Sequence, residues 1–312
     1  MPQASVIIPA RDAEATLART LACLERQAGA PDFEVIVVDD GSRDGTAEVA
    51  RAAGATTLVQ PRTGAAEARN RGVRAAGGEV LAFLDADCFP QPGWLAGGVR
   101  ALETADIVQG HVRPDPAADL GPFDRTLWIV DDVGLWQTAS LFVGRDVFDR
   151  AGGFEDWLDV GAGKLMAEDV WFGWRALRAG ARGAFAAEAL AHHAVFPRGP
   201  GGYISERRRA GHFPAIAARM PELRRSMFHR RLFLSRRTAA FDAAAVAVAV
   251  AAVRRSPAPL AAALPYVRLA WRERLKVAGP RAPEVAVVDL AADAVTLAAL
   301  ARGSLRARSL VL

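Results

Sequence analysis

Cysteine is nearly absent from this 312-residue chain, with Cys23 and Cys88 as its two thiols. Two thiols cannot build a disulfide framework, so stability has to come from a packed core, and the usage fits a reducing compartment. No basic segment leading into an apolar run opens the sequence; "MPQASVIIPARDAEA" enters a strand almost at once, and no secretory leader is expected. Long apolar runs are missing too. The stretch 239–253 is interrupted by Asp242, and 285–301 by Asp289 and Asp293, where a membrane crossing needs about 20 apolar residues. No G-x-G-x-x-G follows the first strand, which excludes a dinucleotide-binding oxidoreductase. No Gly-rich basic loop near the start offers a grip on a triphosphate, and no internal repeat is visible.

What is present is enough apolar material for a sizeable core, at 51% of residues. The formal net charge of +4 conceals an asymmetry. Residues 1–197 carry 18 Lys and Arg against 28 Asp and Glu, whereas residues 198–312 carry 21 against 7. An acidic front and a basic tail are two functional regions. The tail interleaves arginine with Ala, Leu and Val rather than with aromatics. That pattern favours attachment to an anionic membrane surface over nucleic acid, and no nucleic-acid partner is expected.

Along the first hundred residues strands and helices alternate. "SVIIPA" (5–10), "FEVIVVDD" (33–40), "TTLVQ" (56–60) and "EVLAFLDAD" (79–87) read as strands, with helices at 14–27, 44–54 and 64–78 between them. Strands apolar throughout and separated by helices predict a largely parallel sheet covered on both faces. "DIVQGHV" (106–112) and "TASLFVG" (138–144) read as further strands, and 167–180 as a helix opened by Glu168 and Asp169. In such sheets ligands gather beyond the carboxyl ends of the strands. Pro9, Asp39, Asp40, Asp85 and Asp87 all fall there.

Asp85 and Asp87 sit two apart at a strand end, so both side chains take the same side. They are read either as helix-capping acids or as ligands of a hard cation such as Mg²⁺ or Mn²⁺, which keeps positions for phosphate oxygens. Asp39 and Asp40 are candidates for accepting hydrogen bonds from a nucleobase or ribose, while Asp44 suits a helix cap. Gly64 allows close backbone approach, and Arg69 is a fixed cation for a diphosphate. Trp128, Trp136, Trp157 and Trp171 are either core or part of a sugar-stacking platform. Gly161 and Gly163 mark 159–169 as a loop able to close over substrates.

The segments "SVIIPARDAEATLARTL", "VIVVDDGSRDGT", "GAAEARNRGVRAAGGEVLAFLDADC", "RAGGFED" and "AEDVWFGWRALRAGAR" resemble the family 2 glycosyltransferases, over residues 4–197 and in the family's order. The resemblance implies the α/β GT-A fold, a mostly parallel sheet flanked by helices. Residues 1–197 would form this catalytic domain, followed by a basic, Ala-rich helical region at 198–312. It implies inverting transfer of a sugar from a nucleotide diphosphate donor, a UDP-sugar first, assisted by Mg²⁺ or Mn²⁺. On that pattern Pro9, Ala10, Arg11, Asp39 and Asp40 hold the nucleoside, and Gly64, Arg69, Asp85 and Ala86 the diphosphate side. Asp85, Asp87 and His193 surround the metal, with His192 as the alternative to His193. Asp169 is the general base and Glu168 its catalytic neighbour.

The family's processive synthases carry a Gln-x-x-Arg-Trp motif that this chain lacks, which implies single addition. The acceptor would be a hydroxyl of a glycan, a lipid-linked sugar or another membrane-proximal molecule in cell-envelope glycan synthesis. The expected location is cytoplasmic, peripheral on the inner face of the cell membrane. A nucleotidyltransferase acting on sugar phosphates, and a non-enzymatic protein binding anionic surfaces or nucleic acid through its tail, are the rival readings.

Overall fold

The computed structural model describes residues 1–159, 165–278 and 282–312. It divides into two units, one of residues 1–118 with 126–195, the other of residues 119–125 with 196–312.

In the first unit the chain runs β1 (Ala4–Ala10), α1 (Glu14–Leu24), β2 (Phe33–Asp40), α2 (Thr46–Ala52), β3 (Thr56–Gln60), α3 (Ala65–Ala75) and β4 (Val80–Leu84). There follow β5 (Cys88–Pro90), α4 (Trp94–Ala101), β6 (Ile107–Pro114), β7 (Ser140–Gly144) and α5 (Arg145–Ala151). A short hairpin of β8 (Leu158–Asp159) and β9 (Leu165–Met166), helix α6 (Glu168–Arg178) and β10 (Gly183–His193) complete it. One sheet has the order β3-β2-β1-β4-β7-β6-β10-β5. The first four strands are parallel, as the alternation predicts, and β10 is parallel to β6. Strand β7 runs antiparallel to both β4 and β6, and β5 antiparallel to β10. No helix is found between β6 and β7, and a parallel return would need such a crossover.

Side-chain alternation along β1 splits the core between the two sheet faces. Val6 and Ile8 pack with Leu17, Leu21, Trp94 and Phe142, whereas Ile7 packs with Phe83, Phe148, Phe154 and Phe172. Pro9 follows the last β1–β4 pair, Ile7 with Phe83, where a ladder donor is no longer required on that side. Two glycines let helices lie tight on the sheet. A Cβ at Gly72 would stand 2.5 Å from Ile7 Cγ2, and one at Gly98 would run into the ring of Phe142. Phe142 is fully buried beside Trp94, with ring centroids 4.8 Å apart, and has nowhere to go. Gly98→Ala is therefore expected to destabilise by about 1–3 kcal/mol despite alanine's better helix propensity, read as a lower thermal midpoint.

The second unit is helical: α7 (Pro200–Glu206), α8 (Phe213–Arg219), α9 (Leu223–Ser226), α10 (Arg236–Arg254), α11 (Leu264–Ala278) and α12 (Ala282–Ala307), with 3₁₀ turns at Arg207–His212 and Ala258–Ala263. Ser235 and Thr238 form a reciprocal capping box at the start of α10. The acids that interrupt the last apolar stretch hold these helices together. Asp289, fully buried, accepts from Tyr203 Oη at 3.0 Å and pairs with Arg237 at 3.4 Å. Asp293 accepts from Arg237 at 2.7 Å and from Tyr266 Oη at 2.7 Å. Burying these charges is tolerable because each is paired and hydrogen-bonded. No helix among the described residues is long and apolar enough to cross a membrane.

Candidate active site

The loops that follow β1 and β2 are cross-linked at the carboxyl edge. Asp12 Oδ1 accepts from the Arg43 amide at 2.9 Å, and Asp12's own amide donates to Ser42 Oγ at 3.0 Å. Asp44 accepts from the Glu14 amide at 3.1 Å and the Thr46 amide at 3.1 Å, tying the starts of α1 and α2 together. Pro9 and Ala10 close β1 between these loops, and Arg11 lies exposed just beyond. Asp39 and Asp40 are both buried. Asp39 Oδ1 accepts from the Ser42 amide and hydroxyl. Asp40 accepts from Gln60 Nε2 at 2.9 Å, the Thr63 amide at 2.8 Å and hydroxyl at 3.2 Å, and the Gly64 amide at 3.0 Å. Four donors match the roughly four lone-pair positions of a carboxylate. Asp40 thus fixes the 60–64 turn and Gly64, whose φ of +107 an L side chain resists.

Helix α3 carries Arg69 inward from that turn. Its guanidinium is buried, donating through Nη1 to Glu168 Oε1 at 2.8 Å and through Nη2 to Asp85 Oδ1 at 3.2 Å. Among the described residues its Nε is buried without a hydrogen-bond partner. One α3 cation thus joins the acid after β4 to the acid that opens α6. Asn70, one residue on, clamps the loop before β8 in both directions, donating to the Phe154 carbonyl at 2.8 Å and accepting from its amide at 2.9 Å.

Helix α6 begins from a strained residue. Ala167 is left-handed at φ +64, which costs an alanine about 1–2 kcal/mol, and Trp157 Nε1 donates to its carbonyl at 2.9 Å. Asp169 follows, accepting from the Val170 amide at 2.7 Å. Burial, and next the charge of Glu168, push the Asp169 carboxyl up to about 7 against the pull of Arg69 and of the amide. A helix start favours the charged form. Desolvation here outweighs it.

Asp87 and Asp85 part company. His193 Nε2 lies 3.5 Å from Asp87 Oδ2. The β5–β10 register sets His193 opposite Cys88, and ligand atoms of Asp87, Cys88 and His193 all lie within 4.8 Å of one another, a cluster that does not include Asp85. His193 Nδ1 is 2.6 Å from the Ala194 carbonyl. A carbonyl only accepts, so Nδ1 carries a proton and Nε2 faces the carboxylate. This donor set fits a divalent cation, with the second ring nitrogen oriented by a backbone carbonyl as metal-bound histidines commonly are. Cys88 is fully buried, and burial pushes its thiol well up, so it stays protonated and offers little to a hard cation. His192 points elsewhere, its Nδ1 3.1 Å from Gln91 Nε2. Ala86 is buried, its carbonyl accepting from Thr20 Oγ1 at 2.9 Å.

The tryptophans divide. Trp136 is core, packed where Gly173 and Gly183 leave room. Trp157 and Trp171 bond locally, the latter to Glu155 Oε2 at 2.9 Å, and Trp128 is 57% exposed. Residues 160–164 of the expected closing loop lie outside the described residues. Sequence reasoning overlooked Asn70, Gln60 and Thr63, which position other side chains. A polar residue one or two places from a candidate acid or cation was the available signal.

Two solved structures resemble this chain in fold. Mannosyltransferase PcManGT from Pyrobaculum calidifontis, in complex with GDP-Man and Mn²⁺, superposes with a TM-score of 0.65 at 24% identity, over 97% of this chain and 87% of that one. S. aureus TarS 1–349 in complex with UDP-GlcNAc gives 0.52 at 16% identity, over 98% and 92%. The likeness is one of fold, and it places the protein in the GT-A class. In sequence, glycosyltransferase AglE of Haloferax volcanii is 31% identical over 216 residues, 64% of this chain and 69% of its own length. Validoxylamine A glucosyltransferase of Streptomyces hygroscopicus is 38% identical over 124 residues, 38% of this chain and 25% of that longer relative. The glycosyl transferase family 2 profile matches residues 5–140. The chain belongs to glycosyltransferase family 2.

Proposed function

We propose that this glycosyltransferase moves one sugar, with inversion, from a nucleotide diphosphate donor to a hydroxyl of a glycan, lipid-linked or other membrane-proximal acceptor, with Mg²⁺ or Mn²⁺ as cofactor. The observation that carries the reading is the buried Arg69 bridge between Asp85 and Glu168, which sets Asp169 beside the donor-side acids. Asp169 takes the acceptor proton as its oxygen attacks, since an alcohol is a poor nucleophile and a carboxyl held near neutrality is a competent base. Glu168 is a positioning residue: it fixes Arg69 and raises the proton affinity of Asp169. Arg69 stabilises the negative charge that grows on the leaving diphosphate.

Asp87 and His193, with Asp85, would hold the cation, which when bound would supply a Lewis acid for the diphosphate oxygens; Asp85 also pairs with Arg69. Pro9, Ala10, Arg11 and Asp39 line the nucleoside side. Asp40, with both oxygens engaged, shapes the 60–64 turn, and Gly64 and Ala86 offer backbone to the donor. PcManGT is bound to GDP-Man and TarS to UDP-GlcNAc, so uridine and guanosine donors are both to be tested, a UDP-sugar first. The basic second region supports peripheral attachment at the inner membrane face, with 21 Lys and Arg against 7 Asp and Glu.

Calorimetric titration of UDP and GDP with and without Mn²⁺ tests the donor side. His193→Ala is expected to weaken metal-dependent nucleotide binding on the order of 10–100-fold, and His192→Ala to leave it unchanged. Binding that is indifferent to metal, or that fails equally in both variants, would remove the cation from the account.

A further inference from the structure

One surface of the second unit is dressed for a non-aqueous neighbour. From residue 243 to residue 253, helix α10 consists of alanine and valine alone. A helix apolar all round belongs in a core or in a lipid environment. Here Phe241, Ala244 and Ala247 face inward, while Val246 and Val253 stand 63% and 86% exposed. Helix α11 repeats the arrangement. Tyr266 and Ala270 are buried, with Tyr266 edge-on to Phe241 at 5.2 Å. Leu264, Val267 and Trp271, spaced at i, i+3 and i+7, form an exposed stripe. The 3₁₀ turn between the two helices adds exposed Leu260.

Charge identifies the occupant. Arg254, Arg255 and Arg268 are exposed along this hairpin, and no Asp or Glu occurs between residues 243 and 271. Among the described residues of this face no acid is available to offset the like charges that a second copy would press together. An anionic bilayer satisfies both components, with apolar side chains in the acyl boundary, guanidinium groups at the phosphates and Trp271 at the headgroup level. Resting on the peripheral attachment proposed above, we propose that the α10–α11 hairpin, residues 246–271, is the docking surface, and that it lies in the interface of an anionic lipid leaflet without crossing it.

Sedimentation of the full chain with vesicles of phosphatidylcholine alone, or of phosphatidylcholine and phosphatidylglycerol at three to one, tests this. The wild type is expected to partition onto the mixed vesicles. The exposed-site variant Val253→Ser, Leu264→Ser, Trp271→Ser should bind at least tenfold less, with an unchanged thermal midpoint and helix content. Arg254→Ser with Arg255→Ser should lose on the order of fivefold per arginine on mixed vesicles, and little on phosphatidylcholine. Wild-type binding that survives both variants overturns the hairpin assignment and leaves peripheral attachment standing. No wild-type binding to either vesicle overturns attachment itself. Self-association without vesicles, abolished by the triple variant, would assign the surface to a second copy and overturn the lipid assignment.

Discussion

Asp169→Asn is expected to abolish sugar transfer and, at the same time, to raise the melting temperature. Asparagine keeps the shape of the side chain but cannot accept the acceptor proton, and losing a positioned general base costs about 10²–10⁴-fold in rate. The stability gain comes from the same burial that tunes the base. The Asp169 carboxyl is displaced from the ordinary 3.8 to about 7, so between those values the folded state binds a proton that the unfolded state has released. Stability therefore falls as pH rises through that window and stays low above it. Asparagine carries no such penalty, and at pH 8 the variant should be more stable on the order of 2 kcal/mol. The same displacement gives the wild type an acid limb: kcat/KM should fall as pH drops through about 7, because the base is then protonated. Denaturant titration at pH 5 and pH 8 with a pH–rate profile checks both halves. A variant that is inactive yet no more stable at pH 8 would mean that Asp169 is better solvated than its burial implies.

Arg69→Met should produce the largest loss of stability in the site. It removes the guanidinium that Glu168 and Asp85 share and that also faces Asp169, leaving half-buried carboxylates to repel one another. Breaking a fully buried pair costs about 3–5 kcal/mol, and the partial exposure of these acids puts the expected loss at the lower end, about 3 kcal/mol. The cost should shrink as pH falls, because protonation of Asp169, displaced upward to about 7 in the wild type, removes one of the repelling charges. Arg69→Lys keeps a cation but loses the fork that spans two acids, so it should recover only part of the stability. Chemical denaturation of the three proteins at pH 5 and pH 8 distinguishes this from simple loss of packing, which would be indifferent to pH. Transfer should fall sharply in Arg69→Met even where it stays folded, since nothing then balances the charge growing on the leaving group.

The first four strands and the acids at their ends were legible because both signals are local. Strands β1, β2 and β4 are nearly continuous apolar runs, helices follow β1, β2 and β3, and a parallel sheet brings the strand ends to one edge. Strand β7 was visible as a segment, but its direction depends on a connection without a crossover helix, which periodicity does not report. Asp85 and Asp87, two residues apart where the sequence suggests one side of a strand end, invited a shared cation; in the fold they lie in the turn between β4 and β5. Their separation comes from partners distant in sequence, Arg69 on α3 for one and His193 on β10 for the other. The choice between His192 and His193 likewise depended on the alternation of β10 against β5, which turns one ring to Gln91 and the other to Asp87. For Asp169 the sequence supplied both opposing influences, helix start and burial, and the balance needed its surroundings in the fold, Glu168 beside it and Arg69 reaching across from α3.

The most direct test of the central claim is metal-dependent release of nucleotide diphosphate from a panel of nucleotide sugars, with membrane lipid extract as acceptor source. It would be run on wild type, Asp87→Ala and Asp169→Asn, each shown to be folded. The account predicts release from one donor by the wild type in Mn²⁺ or Mg²⁺, and none above background in either variant. Undiminished release by Asp169→Asn, or release that ignores the metal and survives Asp87→Ala, would contradict it.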